Sequence, residues 1–177
     1  MWSEPYSVIK WVFVEQSGDL FPGVLGMFRG VSAIHLDEKG RMAMPTRYRD
    51  KLRQDSNNQM ILTIDTDEPC LLLYPLSIWE NIEKKIEALP SFNKMTRRIQ
   101  RLLLGHATEI ELDAQGRILL PPSLRDFAEL QKNVVLVGQG KKFEIWNEET
   151  WNTLRKDWLQ GSERNENIPE ELQTLSL

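Results

Sequence analysis

With 177 residues, 41% of them hydrophobic, the chain is long enough to bury a core, yet no apolar run approaches the roughly 20 residues that a membrane span needs. Its single cysteine, Cys70, excludes an intramolecular disulfide and fits a reducing, cytoplasmic setting, and the N-terminal stretch lacks the pattern of a secretory leader. A formal net charge of −4 argues against a uniformly basic nucleic-acid binder, so any polyanion would have to be met by a local patch.

Residues 1–26 are punctuated by Pro, Gly and Ser and match nothing downstream. They are expected to form a poorly ordered extension that adds little to the fold, with Met27 opening the better-patterned chain. Residues 31–36 read as a strand partly buried on both faces, with Val31, Ala33 and His35 on one side and Ile34 and Leu36 on the other. A hairpin loop follows at Asp37, Glu38, Lys39 and Gly40: Asp bonds the backbone two residues on, and Gly supplies the positive φ that such a loop ends with. Residues 41–44 read as the return strand, stopped by Pro45. Thr46 is the N-cap candidate of a short helix over 47–52, the cap shifting by one if Pro45 lies in the first turn. Residues 60–65 and 69–74 form a second strand pair across an acidic turn. Ile78, Ile82, Ile86 and Leu89 then give an apolar helical stripe broken by Pro90, and Met95, Ile99, Leu102 and Leu103 give another that ends at Gly105.

The pattern then begins again. Ile34, Leu36, Asp37, Gly40, Arg41, Pro45, Arg49 and Asp50 recur in register as Ile110, Leu112, Asp113, Gly116, Arg117, Pro121, Arg125 and Asp126, 8 identities in 17 positions at a separation of 76. Farther on, residues 60–64 match 133–137 in character, and 74–79 match 146–151 at a separation of 72. The second copy has therefore lost four residues, assigned to the turn at 65–69. It is expected to supply strands near 109–113, 118–120, 134–137 and 142–146, a short helix after Pro121 and Pro122, and a closing helix carrying Trp151, Leu154 and Trp158. The tail from Ser162 is acidic and expected to be mobile. Each half alone would be marginal, so the prediction is one compact body with internal pseudo-two-fold symmetry. Its parts are the extension (1–26), a first unit (31–78), a helical linker (79–106), a second unit (107–150) and a C-terminal helix with its tail (151–177).

Charge points to the same repeated turns. Between residues 27 and 60 there are seven basic and four acidic residues, whereas 144–177 carry three basic and eight acidic ones. Arg41 and Arg117 each follow the turn glycine, and a guanidinium fork suits a phosphate or the edge of guanine. Asp37 and Asp113, with Gly40 and Gly116, would shape the loops, while Lys39, Arg47, Arg49 and Arg125 would extend a basic rim towards a nucleic-acid backbone. A competing reading is that each Asp–Arg pair only closes its own turn.

Other candidates are weaker. Gly138, Gly140, Lys141 and Lys142 lack the spacing of a phosphate loop and read as a hairpin turn. One Cys and two His that are not repeat equivalents, His35 and His106, make no metal set, and no nucleophile–base pattern is legible. Arg97, Arg98 and Arg101 are either a basic patch or the solvated face of a helix. The tryptophans suit a core or a subunit interface better than base stacking. A hydrolase using Asp37 and Asp113 would need both carboxylates in one pocket, which hairpin tips do not offer. No enzymatic activity, cofactor or small-molecule substrate is expected.

Several longer motifs carry a family resemblance: Met27-Phe28-Arg29-Gly30, the two Asp-x-x-Gly-Arg turns, residues 45–49, 70–75 and 97–106, and Val135-Leu136-Val137-Gly138. From Met27 onward the chain resembles the MraZ family of bacterial transcriptional regulators, which stand at the head of the division and cell-wall gene cluster. The resemblance implies two SpoVT-AbrB-type swapped-hairpin domains, α+β in class, in a homo-oligomeric ring. It implies double-stranded DNA as the partner, contact through Asp37/Arg41 and Asp113/Arg117, and a cytoplasmic, nucleoid-associated repressor. An antitoxin of the same hairpin class, handing its acidic tail to a protein partner, is the alternative.

Overall fold

The computed structural model describes residues 27–160. The expectations for the extension at 1–26 and for the acidic tail lie outside those residues. In chain order the elements are β1 (Phe28–His35), β2 (Arg41–Ala43), α1 (Thr46–Ser56), β3 (Gln59–Ile64), β4 (Leu71–Pro75), α2 (Leu76–Glu87) and α3 (Lys94–Ile99). After a π-helical turn (Gln100–Leu104) come β5 (Thr108–Glu111), β6 (Arg117–Leu119), α4 (Pro122–Phe127), β7 (Asn133–Gly140), β8 (Lys142–Asn147) and α5 (Glu148–Gln160).

The two copies of the repeat share every sheet. Six antiparallel strands run in the order β1-β7-β8-β4-β3-β5, and a separate ribbon pairs β2 with β6. The first strand of each copy thus lies against the other copy: Ile34 faces Val134, and its repeat equivalent Ile110 faces Met60. The register is symmetric about two pairs, Met42↔Ile118 in the ribbon and Leu72↔Glu144 in the large sheet. The second copy therefore needs a different alignment from the one read off the sequence. Met60 corresponds to Val134 rather than Asn133, so two of the four missing residues are lost before β7, where α4 is shorter than α1, and only two in the later turn.

Strand alternation divides the core. Met60, Leu62, Ile64, Leu71, Leu73, Val134, Leu136, Phe143 and Ile145 point to one face, where Met42, Met44, Ile118 and Leu120 of the ribbon segments and Tyr48, Leu52 and Leu124 of α1 and α4 meet them. Phe28, Tyr48 and Phe143 close that layer, with ring centroids 4.2 to 5.9 Å apart. The opposite face presents Leu72, Val135 and Trp146, covered by Trp151 and Leu154 of α5. Trp146, Trp151 and Trp158 form a triangle there, the packing role expected of the tryptophans. Thr63 Oγ1 donates to the Leu103 carbonyl at 2.8 Å, fixing the π-helical turn to this side of the sheet.

Three local expectations change. Residues 41–43 do not pair with β1 as a return strand. Beyond one bridge, Leu36↔Met42, the two segments diverge, because Met42 is drawn to Ile118 of the other copy. Thr46 is not the N-cap: Pro45 takes that place without a side-chain bond, and α1 runs on to Ser56, where Asn57 ends it in the left-handed conformation. Val31 is 53% exposed, because β1 is the edge strand of the sheet and, among the described residues, its Val31, Ala33 and His35 side meets no further layer.

Candidate nucleic-acid interface

Each turn is built from one aspartate. Asp37 Oδ1 accepts from the amides of Lys39 and Arg41, both at 2.9 Å, and Oδ2 accepts from Arg41 Nε at 2.7 Å. Asp113 does the same with the amides of Gln115 (2.9 Å) and Arg117 (2.8 Å) and with Arg117 Nε (2.9 Å). The glycine amides close the backbone onto the aspartate carbonyls at 2.9 and 2.8 Å, with φ of +77° at Gly40 and +75° at Gly116. The Arg41 amide, aided by its guanidinium and the Lys39 amide, holds the Asp37 carboxyl below the ordinary carboxylate range. At Asp113 partial burial pushes upward, but the Arg117 amide and guanidinium and the Gln115 amide outweigh it, and the net shift is downward.

Each turn is completed by the other copy. Met44 donates its amide to the Gly116 carbonyl (2.9 Å), and Leu120 donates to Gly40 (3.1 Å). Arg49, anchored by Nε on the Met44 carbonyl at 2.7 Å, lies over Gly116, where an added Cβ would come within 2.4 Å of its Cζ. Arg125, anchored on Leu120 at 3.1 Å, lies over Gly40 in the same manner, at 2.7 Å. The sequence places Arg49 and Arg125 just past their own turns. The structure places them against the opposite ones, and no carboxylate pairs with either among the described residues.

Between the turns lies the ribbon. Met42 and Ile118 face inward at 0% exposure, so Arg41, Ala43, Arg117 and Leu119 share the outward face. Arg41 stands opposite Leu119, and Arg117 opposite Ala43. The Cα atoms of the two arginines are therefore offset by about 7 Å along the strands and about 5 Å across them. Arg41 keeps both terminal nitrogens clear of hydrogen-bond partners among the described residues, whereas Arg117 Nη2 is also held by Asp113 (2.9 Å) and by Gln115 Oε1 (3.2 Å). Each pair does close its own turn, as the competing reading holds, but the aspartate takes the Nε edge and leaves part of the fork facing out.

Arg47 lies elsewhere. Two residues before Arg49, it points about 200° around α1, where it donates to Ser32 Oγ at 2.8 Å and stacks over the Tyr48 ring. In the linker, Arg97 bonds the Ser91 carbonyl, and Arg98 and Arg101 are exposed. Leu119, 54% exposed beside Arg41, was hidden in the sequence by its run with Ile118 and Leu120, although Arg41-Met42-Ala43-Met44 shows the alternation plainly.

A cavity of about 530 Å³ opens on the far face of the sheet, between α2 and α5, lined by Tyr74, Trp79, Glu144, Trp146 and Trp158 among others. Glu144 is bonded to Trp146 Nε1 (3.1 Å) and paired with Lys142 (3.3 Å). Burial pushes the Tyr74 hydroxyl and the nearby Cys70 thiol upward, so both stay protonated at neutral pH and neither is a nucleophile there. Among the described residues no three His, Cys, Asp or Glu side chains gather to hold a metal ion, and no helix is long and apolar enough to cross a membrane.

The repeat has counterparts elsewhere. The family model for MraZ protein, which its description likens to antitoxins, matches the chain twice in tandem, at residues 27–102 and 103–172. Transcriptional regulator MraZ of Legionella pneumophila (strain Corby) is 53% identical over 152 residues, covering 85% of this chain and 100% of the relative. The protein of the same name from Coxiella burnetii (strain RSA 493 / Nine Mile phase I) gives the same identity and coverage, and that of Thioalkalivibrio sulfidiphilus (strain HL-EbGR7) is 53% identical over 151 residues. Matched in both halves and across the full length of these relatives, the chain belongs to the MraZ family.

Proposed function

We propose that this protein is a sequence-specific DNA-binding transcriptional regulator that docks its β2–β6 ribbon, rather than a recognition helix, against duplex DNA. The observation that carries the reading is the outward ribbon face, where Arg41 and Arg117 project between turns that each hold a further arginine with no carboxylate partner among the described residues. Two strands about 5 Å apart fit a major groove about 12 Å wide. Arg41 and Arg117 reach base edges, while Arg49, Arg125 and Lys39 meet phosphates, with Arg47 at the periphery. The relatives named transcriptional regulators support the same class of activity.

Exchange of β1 and β5 between the copies supports a swapped-hairpin, SpoVT-AbrB-type reading. One ribbon supplies few contacts, so specific binding calls for several ribbons at once, as a ring of identical subunits on tandem promoter repeats would provide at high effective concentration. In this proposal the protein is a nucleoid-associated repressor of the division and cell-wall gene cluster.

The test is a footprint of the purified protein on DNA upstream of its own gene. Wild type should protect a repeated site, and Arg41→Ala and Arg117→Ala should each abolish that protection, at roughly 1–3 kcal/mol for each base pair no longer read. If both variants protect that DNA as wild type does, the site assignment is wrong.

A further inference from the structure

Pseudo-symmetry poses a physical problem for a reader of DNA. A ribbon whose two halves were identical would accept a duplex in either direction, and could not set the polarity of a repeat that is not palindromic. The two halves here differ on the outward face. Ala43 and Leu119 are repeat equivalents, one a single methyl and the other an isobutyl group left 54% exposed. Lys39 and Gln115 are also equivalents, and only Gln115 adds a second tether to its arginine.

Leu119 is not there for the core. Its neighbours Ile118 and Leu120 are at 0% exposure and fill the inward face, as Met42 and Met44 do in the other copy. Its side chain stands directly across from Arg41, at about 5 Å between Cβ atoms. An apolar group beside the less restrained guanidinium fork therefore marks one end of the ribbon chemically. Within the major groove the thymine 5-methyl is the apolar group that a base pair presents, and an exposed aliphatic side chain is its natural contact.

We propose that Leu119 is a specificity-determining residue that packs on a thymine 5-methyl next to the base pair met by Arg41, and so fixes the direction in which the ribbon reads DNA. The proposal rests on the reading that the ribbon enters the major groove.

It is tested on a duplex selected by the wild-type protein from a randomised library, in which each dT is replaced in turn by dU. That exchange removes one methyl group and leaves every hydrogen-bonding group in place. For wild type, one position should weaken binding about fourfold per ribbon engaged, the worth of one buried methyl group. Leu119→Ala should be insensitive at that position while still depending on Arg41 and Arg117. Ala43→Leu, which makes the two halves alike, should gain a second dU-sensitive position on the opposite side of the site. Selected sites without thymine, or dU sensitivity that is the same in wild type and Leu119→Ala, would overturn the inference and leave the ribbon reading standing. Failure to select any duplex, or selection unaffected by Arg41→Ala with Arg117→Ala, would remove the reading and the inference together.

Discussion

Gly116→Ala tests whether the two copies are built into each other's turns. At φ +75° an L side chain sits in the left-handed region, at about 1–2 kcal/mol. The new Cβ would also lie 2.4 Å from Arg49 Cζ. Arg49 is flexible enough to swing away, so the clash is relieved by giving up its 2.7 Å bond to the Met44 carbonyl, a charged hydrogen bond of about 1.5–3 kcal/mol. The expected total is about 2.5–5 kcal/mol, read from urea unfolding as a lower midpoint at unchanged slope. In an Arg49→Ala background that hydrogen bond is already absent, and the same substitution should cost only the backbone part. An equal cost in both backgrounds would mean that Arg49 does not lie over Gly116, and a cost below about 0.5 kcal/mol would mean that the turn does not need glycine.

Other expectations can be checked alongside. Asp37 and Asp113 have folded-state pKa values held below their ordinary range, so the stability they contribute is complete above about pH 4 and is lost as pH falls through the lowered values. Asp37→Asn should accordingly be less stable than wild type at pH 7, with the gap closing under acid; a gap that stays constant down to about pH 3 would contradict the pairing. Cys70, fully buried with its thiol pushed upward, should react with a thiol reagent only as fast as the protein unfolds, and a stoichiometric reaction in native buffer would refute its placement. Arg49→Ala combined with Arg125→Ala should flatten the salt dependence of duplex binding by about one slope unit for each phosphate no longer neutralised, and an unchanged slope would take both residues out of the phosphate rim.

The turns were legible in the sequence because their chemistry is local. An aspartate that accepts amides two and four residues on, and a glycine at positive φ, leave their signature within five positions. The linker stripe at Ile78, Ile82 and Ile86 was legible for the same reason, since those side chains share one face of one helix. What the sequence could not convey is which strand each segment meets. Residues 41–43 look like half of a local hairpin, and only burial of Met42 against Ile118, 76 residues away, draws them into the other copy's ribbon. That single exchange carries Arg49 to Gly116 and Arg125 to Gly40, so the composition of the site follows from a long-range pairing that has no local trace. The alignment error between Met60 and Asn133 has a similar root. In two nearly continuous apolar runs a one-residue slip leaves hydrophobic character unchanged while reversing which face each residue takes.

The most direct test of the central claim is discrimination: the ratio of affinity for a selected duplex to affinity for a scrambled one, at fixed salt. In the Arg41→Ala, Arg117→Ala double variant that ratio should fall towards one, whereas Arg97→Ala with Arg101→Ala should leave it as in wild type. A ratio that survives loss of the ribbon arginines, or that collapses with the linker pair, would place sequence reading somewhere other than the β2–β6 ribbon.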